Sequence, residues 1–163
     1  MKKLKLKSRH QLSKSQNKEM INRIRSISEK IGDALSKKRL ELATVDEFEL
    51  LLVDGKPMFL ITDGIPFFTV RGALELKPTQ KLVTVDAGAI PFVIKGADVM
   101  KPGIISVDPD IKEGDNVIVV EENHGKALAI GRALVDADQL MGDGGKGIKT
   151  LHMVGDKLWD VQL

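Results

Sequence analysis

The sequence contains no cysteine and only three histidines, and these shortages exclude several kinds of site. Without cysteine there is no disulfide, no thiolate nucleophile and no zinc site that needs sulfur ligands. The histidines His10, His124 and His152 lie far apart, and none of their spacings is typical of a metal site. We therefore expect neither a metal nor another cofactor.

Long apolar runs are missing as well. No run approaches the roughly 20 residues that a helix needs to cross a bilayer, and the basic N-terminus is not followed by the apolar stretch of a signal peptide. We expect a soluble, cytoplasmic protein with no membrane partner. The composition supports a folded core, because 42% of the 163 residues are hydrophobic and 29% are charged. This length corresponds to one ordinary domain or two small ones.

Negative charge is scarce in the first quarter of the chain. Residues 1–40 contain 13 lysines and arginines against three acidic residues, whereas the remaining residues contain 12 basic and 20 acidic ones. This asymmetry, hidden by a total net charge of +2, indicates a polyanionic partner for the basic segment. The alternative is that these lysines and arginines only keep a surface helix soluble.

Hydrophobic periodicity predicts a strand and a helix in the basic segment. Leucine and lysine alternate over residues 3–7, the period of a half-buried strand. An apolar stripe then predicts one helix over residues 15–38, with Ser15 as its N-cap and with Gly32 as the position where a break would fall. The stripe consists of Met20, Ile24, Ile27, Ile31 and Leu35.

Three strands are predicted next, over residues 48–53, 58–61 and 66–70. Asp-Gly pairs at residues 54–55 and 63–64 separate them, as in hairpins. Four of the five phenylalanines lie within residues 48–68, which favours an aromatic-rich core over a base-stacking platform. With the preceding helix, these strands predict an α+β domain over residues 1–77.

Residues 78–163 show many short strands with glycine turns, which favours a small, mostly-β barrel. A short helix is expected from about Gly88, with Pro91 in its first turn, and another after Asp136, which would cap it. The predicted strands cover residues 82–85, 104–107, 116–120, 126–135 and 157–161.

A glycine-rich stretch at residues 142–147 fits the pattern G-x-G-x-x-G. It follows a predicted helix rather than a strand and lacks a βαβ context, so we interpret it as a flexible loop and not a dinucleotide site. It is not a Walker A loop either, because glycine follows its lysine. Lys146 and Lys149 remain candidates for phosphate contacts.

No constellation of catalytic residues emerges from the remaining motifs. The Asp-Pro-Asp sequence at residues 108–110 is typical of a capped surface loop, and residues 121–125 are typical of an exposed hairpin tip without a nucleophile. His152 has no evident acidic partner, so we assign it a structural role. We therefore expect that the protein is not an enzyme.

Residues 86–104 open with D-x-G-A and close with G-A-x-x-M-x-P-G-I, and this run resembles the signature of a PUA domain. Residues 114–117 and 129–131 match later strands of the same domain. Residues 53–71 and the terminal residues 157–161 resemble the pre-PUA domain and the end of the MCT (malignant T-cell-amplified) translation-factor family, in its archaeal form. The resemblance implies an α+β pre-PUA domain followed by a PUA pseudobarrel of five or six strands.

The resemblance also implies an RNA-binding face beside the helix that follows the first barrel strand. Glycine at such a face allows close approach of the backbone to phosphate, lysine adds charge, and methionine offers adaptable apolar surface. By position the face comprises Gly88, Lys95, Gly96, Ala97, Met100 and Lys101. Arg132 is a further candidate on the barrel.

The resulting hypothesis is a non-enzymatic RNA-binding protein of translation that binds tRNA or ribosomal RNA. Eukaryotic members of the resembled family act on the small ribosomal subunit with the density-regulated protein, so both are candidate partners. The basic helix is a candidate contact for ribosomal RNA because of its charge. Two alternatives stay open: an RNA-binding accessory subunit of an RNA-modifying enzyme, whose catalytic domain this chain is too short to include, and a protein-interaction adaptor that uses the helix stripe.

Overall fold

The computed structural model describes residues 3–163 and divides into two compact units. The N-terminal unit extends to Pro78 and includes Asp160–Leu163, whereas the C-terminal unit comprises Thr79–Trp159. We keep as a proposal that residues 1–77 and 78–163 are separate domains. The longest helix in residues 3–163 has 14 residues, and none combines the length and apolar character needed to span a bilayer.

The N-terminal unit contains a five-stranded antiparallel sheet whose strands follow one another in chain order. Asp54 and Asp63 adopt positive φ angles together with the glycines that follow them, which confirms the two predicted turns. Phe59 and Phe68 lie in the core with ring centroids 5.1 Å apart, so these aromatic rings are core residues and not a base platform. The strands are β1 (Leu6–Gln11), β2 (Glu41–Val45), β3 (Phe48–Val53), β4 (Lys56–Thr62) and β5 (Ile65–Phe68).

Some predicted strand boundaries of this unit are wrong. The first strand begins at Leu6 rather than Lys3, and every residue of β1 is exposed, so the leucine–lysine alternation does not mark a buried face. The strand β2 was not predicted. The third predicted strand is too long, because Thr69 caps a helix, α3 (Val70–Leu76), by accepting the N–H of Gly72.

The predicted single helix is in fact two helices, α1 (Lys14–Ile27) and α2 (Glu29–Ala34). The N-cap is Ser13, not Ser15, and Ser13 forms a capping box with Gln16. The break falls at Ser28, not at Gly32, because the Ser28 side chain accepts the N–H of Ile31 and starts α2. The apolar stripe is nevertheless oriented toward the core, since Ile24, Ile31 and Leu35 are buried.

The C-terminal unit is a pseudobarrel built on a six-stranded sheet. Four of its five pairs of neighbouring strands are antiparallel, and one is parallel. Two short helices, α4 (Ile90–Val93) and α5 (Ala137–Leu140), accompany it. The strands are β6 (Leu82–Val85), β7 (Val99–Met100), β8 (Ile104–Val107), β9 (Asn116–Glu121), β10 (Ala127–Ala133) and β11 (Lys146–Met153). Their order in the sheet is β7-β11-β10-β9-β6-β8, and the parallel pair is β6 with β9.

In the middle of this unit the helices and strands agree with the prediction, whereas at its C-terminal end they do not. Four predicted barrel strands and the helix with Pro91 in its first turn are confirmed. The predicted strand over residues 157–161 is wrong, because the Trp159 N–H donates to Asp156 Oδ1 and the chain turns there. The last strand is β11 instead, which starts within the glycine-rich stretch. Asp136 precedes α5 as predicted, but its carboxylate accepts the N–H of Glu113 and not one from the helix.

Candidate nucleic-acid interface

The segment that follows α4 is held against β11 by backbone hydrogen bonds. The Lys101 N–H donates to the carbonyl oxygen of Gly145 at 2.9 Å, and Met100 lies opposite Lys146 in the pairing of β7 with β11. The Lys101 stem passes beside Gly147, which half-buries this side chain, whereas Lys146 and Met100 are exposed. Residues predicted from two distant parts of the sequence are therefore neighbours.

Thr150 of β11 forms hydrogen bonds with the N-terminal end of the same segment, at residues 97–98. Its N–H donates to Asp98 Oδ1 at 3.0 Å, and its hydroxyl donates to the Ala97 carbonyl oxygen at 2.8 Å. Asp98 also forms an ion pair with Lys146 at 3.2 Å. The backbone hydrogen bond from Thr150 lowers the pKa of Asp98, against the opposing effect of burial and with help from Lys146. A charged carboxylate that the sequence analysis missed thus lies among the predicted cations.

The pairing of β10 with β11 adds two more cations. Arg132 lies directly opposite Lys149, and both side chains are exposed. Because β11 lies between β7 and β10, these residues and those around Met100 occupy three adjacent strands. We call Lys101, Lys146, Lys149 and Arg132 the cationic face.

Lys95 and Gly96 form the turn after α4. Gly96 has a φ of +92°, and a Cβ there would lie 2.9 Å from Met153 Cε, so the backbone alone explains the glycine. Met153 is the last residue of β11, which places this turn near the far end of that strand from Lys146. Lys95 is exposed. The contact of both residues with RNA remains a prediction.

Gly88 has a different environment, with carboxylates on both sides. Glu122 Oε2 accepts the N–H of Ala87 at 2.8 Å, and Asp86 Oδ1 accepts the N–H of Ala89 at 3.0 Å. These carboxylates already use the neighbouring backbone donors that a phosphate would need. The described contacts do not join Gly88 to the cationic face, and its contact with RNA stays a prediction.

His152 is buried and paired, so the prediction that it lacks an acidic partner is wrong. It is 2% exposed, and its Nδ1 lies 2.8 Å from Asp156 Oδ2. Asp156 also accepts the N–H groups of Met153 and Trp159. The four-residue spacing in the sequence was the available signal. The contacts of His152 and Asp156 stabilise the turn at the end of β11, which is a structural role.

The other acidic motifs also hold loops together. Asp108 accepts the N–H groups of Lys81 and Asp110. Glu121 accepts three N–H groups of the β9–β10 turn, and these hydrogen bonds, led by that from Lys126, lower the pKa of its carboxyl group. The interpretation of both motifs as structural turns agrees with these contacts.

Comparison with known proteins decides the family. The PUA domain model matches residues 81–154, and a domain of unknown function, DUF1947, matches residues 8–70. An uncharacterised protein of Methanocaldococcus jannaschii is 41% identical, with 96% of this chain and 98% of that protein covered. Translation machinery-associated protein 20 of Eremothecium gossypii is 32% identical (83% and 80% covered), and malignant T-cell-amplified sequence 1 of Danio rerio is 31% identical (72% and 67% covered).

This chain belongs to the MCT family. DUF1947 occupies the position of the family's pre-PUA domain. The crystal structure of a hypothetical protein from Pyrococcus horikoshii OT3 superposes with a TM-score of 0.87 and 37% identity, covering 94% of this chain and 98% of that one. The MCT-family architecture expected from the sequence, in its archaeal form, is confirmed.

Proposed function

We propose that the protein is a non-catalytic, cytoplasmic RNA-binding protein of translation, and that its cationic face binds tRNA or ribosomal RNA. The observation that carries this proposal is the position of β11 between β7 and β10. It brings Lys146 and Lys149 of β11 beside Arg132 of β10 and beside Lys101, the residue that follows β7. Phosphate contacts by lysine and arginine dominate the affinity of RNA-binding proteins.

The charges of this face are available for a ligand. Within residues 3–163, no carboxylate lies within 4 Å of the charged ends of Lys101, Lys149 or Arg132, and Lys146 shares its charge with Asp98 alone. Met100 is 48% exposed beside them and supplies adaptable apolar contact for a ribose or a base. Exposed cations around an apolar side chain favour a nucleic acid over a small apolar ligand.

The link to translation comes from relatives, whose names include translation machinery-associated protein 20. We extend this association to the present chain, with the small ribosomal subunit and a protein similar to the density-regulated protein as partners. Tagged protein in a lysate of its native cells is expected to co-purify with small ribosomal subunits in an RNase-sensitive way. Recovery of an RNA-modifying enzyme, or of RNase-resistant protein partners without ribosomal subunits, would contradict this assignment.

Reversing two charges of the face should weaken RNA binding about tenfold or more at low salt. We expect this of Arg132→Glu combined with Lys149→Glu, measured by fluorescence anisotropy with labelled unfractionated tRNA. Like charges lie opposite each other before and after the change, and both side chains are exposed, so the melting temperature should stay within a few degrees.

The matched control changes Lys126 and Lys157 to glutamate. Both side chains are exposed, and both belong to the C-terminal unit but not to the cationic face. This variant undergoes the same change in net charge and should retain affinity within about threefold, since distant charges are screened beyond roughly 10 Å. Equal losses in the two variants would show that RNA responds to net charge and not to this face.

A further inference from the structure

The N-terminal unit contains a strongly basic cleft that the cationic face does not include. It lies between α1 and residues 36–39 and has a volume of about 500 Å³. Six of the ten residues that line it are lysine or arginine, and none is acidic. The six cations are Lys14, Lys18, Arg25, Lys37, Lys38 and Arg39.

The walls of this basic cleft are fixed by side-chain hydrogen bonds. Asn17 donates through Nδ2 to the Lys38 carbonyl oxygen at 2.9 Å and accepts the Leu40 N–H at 2.7 Å. Arg39 Nε donates to the Leu12 carbonyl oxygen at 2.8 Å. These bonds join the start of α1 to the chain that follows α2, so the cleft is held in shape before any ligand arrives.

Among residues 3–163, four of the six cations in the basic cleft have no carboxylate partner. Lys38 pairs with Asp54 and Arg25 with Asp33, each at 2.8 Å, and Arg39 is held by its backbone contact. In the part of the chain that the structure describes, no carboxylate lies within 4 Å of the ammonium groups of three exposed lysines. These are Lys14, Lys18 and Lys37.

Some of these positive charges lie where they are electrostatically unfavourable in the protein without a ligand. Lys14 is the first residue of α1, where the helix dipole opposes a cation, and no acidic residue lies in that first turn. Residues 37–39 are three consecutive cations that line the cleft, and among residues 3–163 only Lys38 of the three pairs with a carboxylate. An anion in the cleft would offset the unfavourable interaction of Lys14 with the helix dipole and would supply a partner for the unpaired lysines.

We propose that the basic cleft binds the sugar-phosphate backbone of RNA, as a second site separate from the cationic face. RNA fits better than a lipid surface because the cleft is concave. Its one large aliphatic side chain, Ile21, is only 4% exposed and cannot insert into a bilayer. The Asn22 amide also lines the cleft and can donate a hydrogen bond to a phosphate or ribose oxygen. Ser36 Oγ donates to the Asp33 carbonyl oxygen and can accept a hydrogen bond from a ribose hydroxyl.

The test compares two triple variants in the full-length protein. The cleft variant is Lys14→Glu, Lys18→Glu and Lys37→Glu. The control is Lys5→Glu, Lys7→Glu and Lys30→Glu, which changes exposed lysines of the same unit outside the cleft. The probe is a fluorescein-labelled RNA hairpin of mixed sequence, titrated over a range of KCl concentrations.

The cleft variant is expected to bind at least tenfold more weakly at low salt. The slope of log K against log[KCl] should become shallower by about two to three, because about 0.7–0.9 counterion is released per phosphate contact. The control should stay within about threefold of the wild type. Circular dichroism must show that each variant has the native fold. If the charge reversal prevents folding, the neutral triple variant Lys14→Gln, Lys18→Gln, Lys37→Gln replaces it. This neutral variant is expected to lose less affinity, in the same direction.

The outcomes separate this site from the cationic face. If the cleft variants bind normally while Arg132→Glu with Lys149→Glu does not, the second site is refuted and the proposed function stands. If neither set weakens binding, both proposals fail. Cleft-dependent binding to vesicles of phosphatidylcholine and phosphatidylserine, with RNA binding unchanged, would overturn the assignment in favour of an anionic lipid.

Discussion

Replacing Gly72 by alanine is expected to destabilise the N-terminal unit by about 3 kcal/mol. A Cβ at this position would overlap the carbonyl oxygen of Met58 and would lie 2.9 Å from the Met58 carbonyl carbon. The obstacle is backbone, so no side-chain rotation relieves it. The overlap outweighs the gain of up to about 1 kcal/mol that alanine usually brings to a helix in place of glycine.

The surrounding hydrogen bonds prevent an easy shift of α3 away from β4. The Thr69 N–H donates to the Met58 carbonyl oxygen at 3.0 Å, and its hydroxyl donates to the Pro57 carbonyl oxygen at 2.8 Å. The same hydroxyl accepts the N–H of Gly72 at 3.0 Å. Moving the helix to accommodate a methyl group would therefore break at least one of these buried bonds.

Urea unfolding followed by circular dichroism measures this loss, and backbone NMR shows which unit is affected. The control is Gly144→Ala, because no atom lies within 4 Å of a Cβ at that position. We expect the control to remain within about 0.5 kcal/mol of the wild type. A Gly72→Ala protein as stable as the control would refute the close approach of α3 to β4.

The second large effect is expected for Asp156→Ala, with a loss of about 3 kcal/mol in the C-terminal unit. The change removes the acceptor of His152 Nδ1 and of the N–H groups of Met153 and Trp159. Leaving buried donors unsatisfied costs about 1–3 kcal/mol each, and water that reaches the half-exposed turn offsets part of this. Fluorescence of Trp159, the single tryptophan, reports the unfolding directly.

This stabilisation should depend on pH. Burial raises the pKa of Asp156, but hydrogen bonds from His152, Trp159 and Met153 outweigh burial and leave the pKa below its ordinary value of 3.8. A carboxyl group with a lowered pKa stabilises the folded state at pH values above its ordinary pKa. This contribution to the free energy of unfolding is lost as the pH falls through the lowered pKa. The difference between wild type and Asp156→Ala should therefore be largest at neutral pH and shrink below about pH 4.

The exposed residue Asp143 provides the control for this variant. Asp143→Ala removes the same charge from a loop of the same unit and should change the free energy of unfolding by no more than about 0.5 kcal/mol. If the difference in unfolding free energy between Asp156→Ala and the wild type does not depend on pH, the negative charge of Asp156 makes no contribution to stability.

The sequence predicted those elements in which the pattern of apolar residues matches the pattern of burial, and those that end at recognisable turns. The hairpin at Asp54-Gly55 and the strands β6, β8 and β9 are examples, because their patterns reflect one local preference. It misplaced the bounds of β1, an edge strand without a buried face, and it did not predict the break at Ser28, which depends on one hydroxyl group. Both depend on hydrogen bonds that hydrophobic periodicity does not report.

The candidate interface was predicted in the same partial way. The family signature indicated the residues after α4, but only the pairing of β11 with β7 shows that Lys146 lies opposite Met100, next to Lys101 in the chain. The acidic residues Asp98 and Glu122 were missed, because each accepts a hydrogen bond from a residue at least 35 positions away. Contacts of such long range cannot be deduced from composition or spacing.

The place of β11 in the sheet has a consequence for synthesis of the chain. The short strand β7 lies at the end of the sheet, and β11, its neighbour, is the last strand to be translated. A nascent chain that ends before Lys146 already contains Lys101 and Arg132 but has nothing to align them. We therefore expect the arrangement of the cationic face to form only after β11 has been synthesised, and a product that ends before Lys146 to lack it.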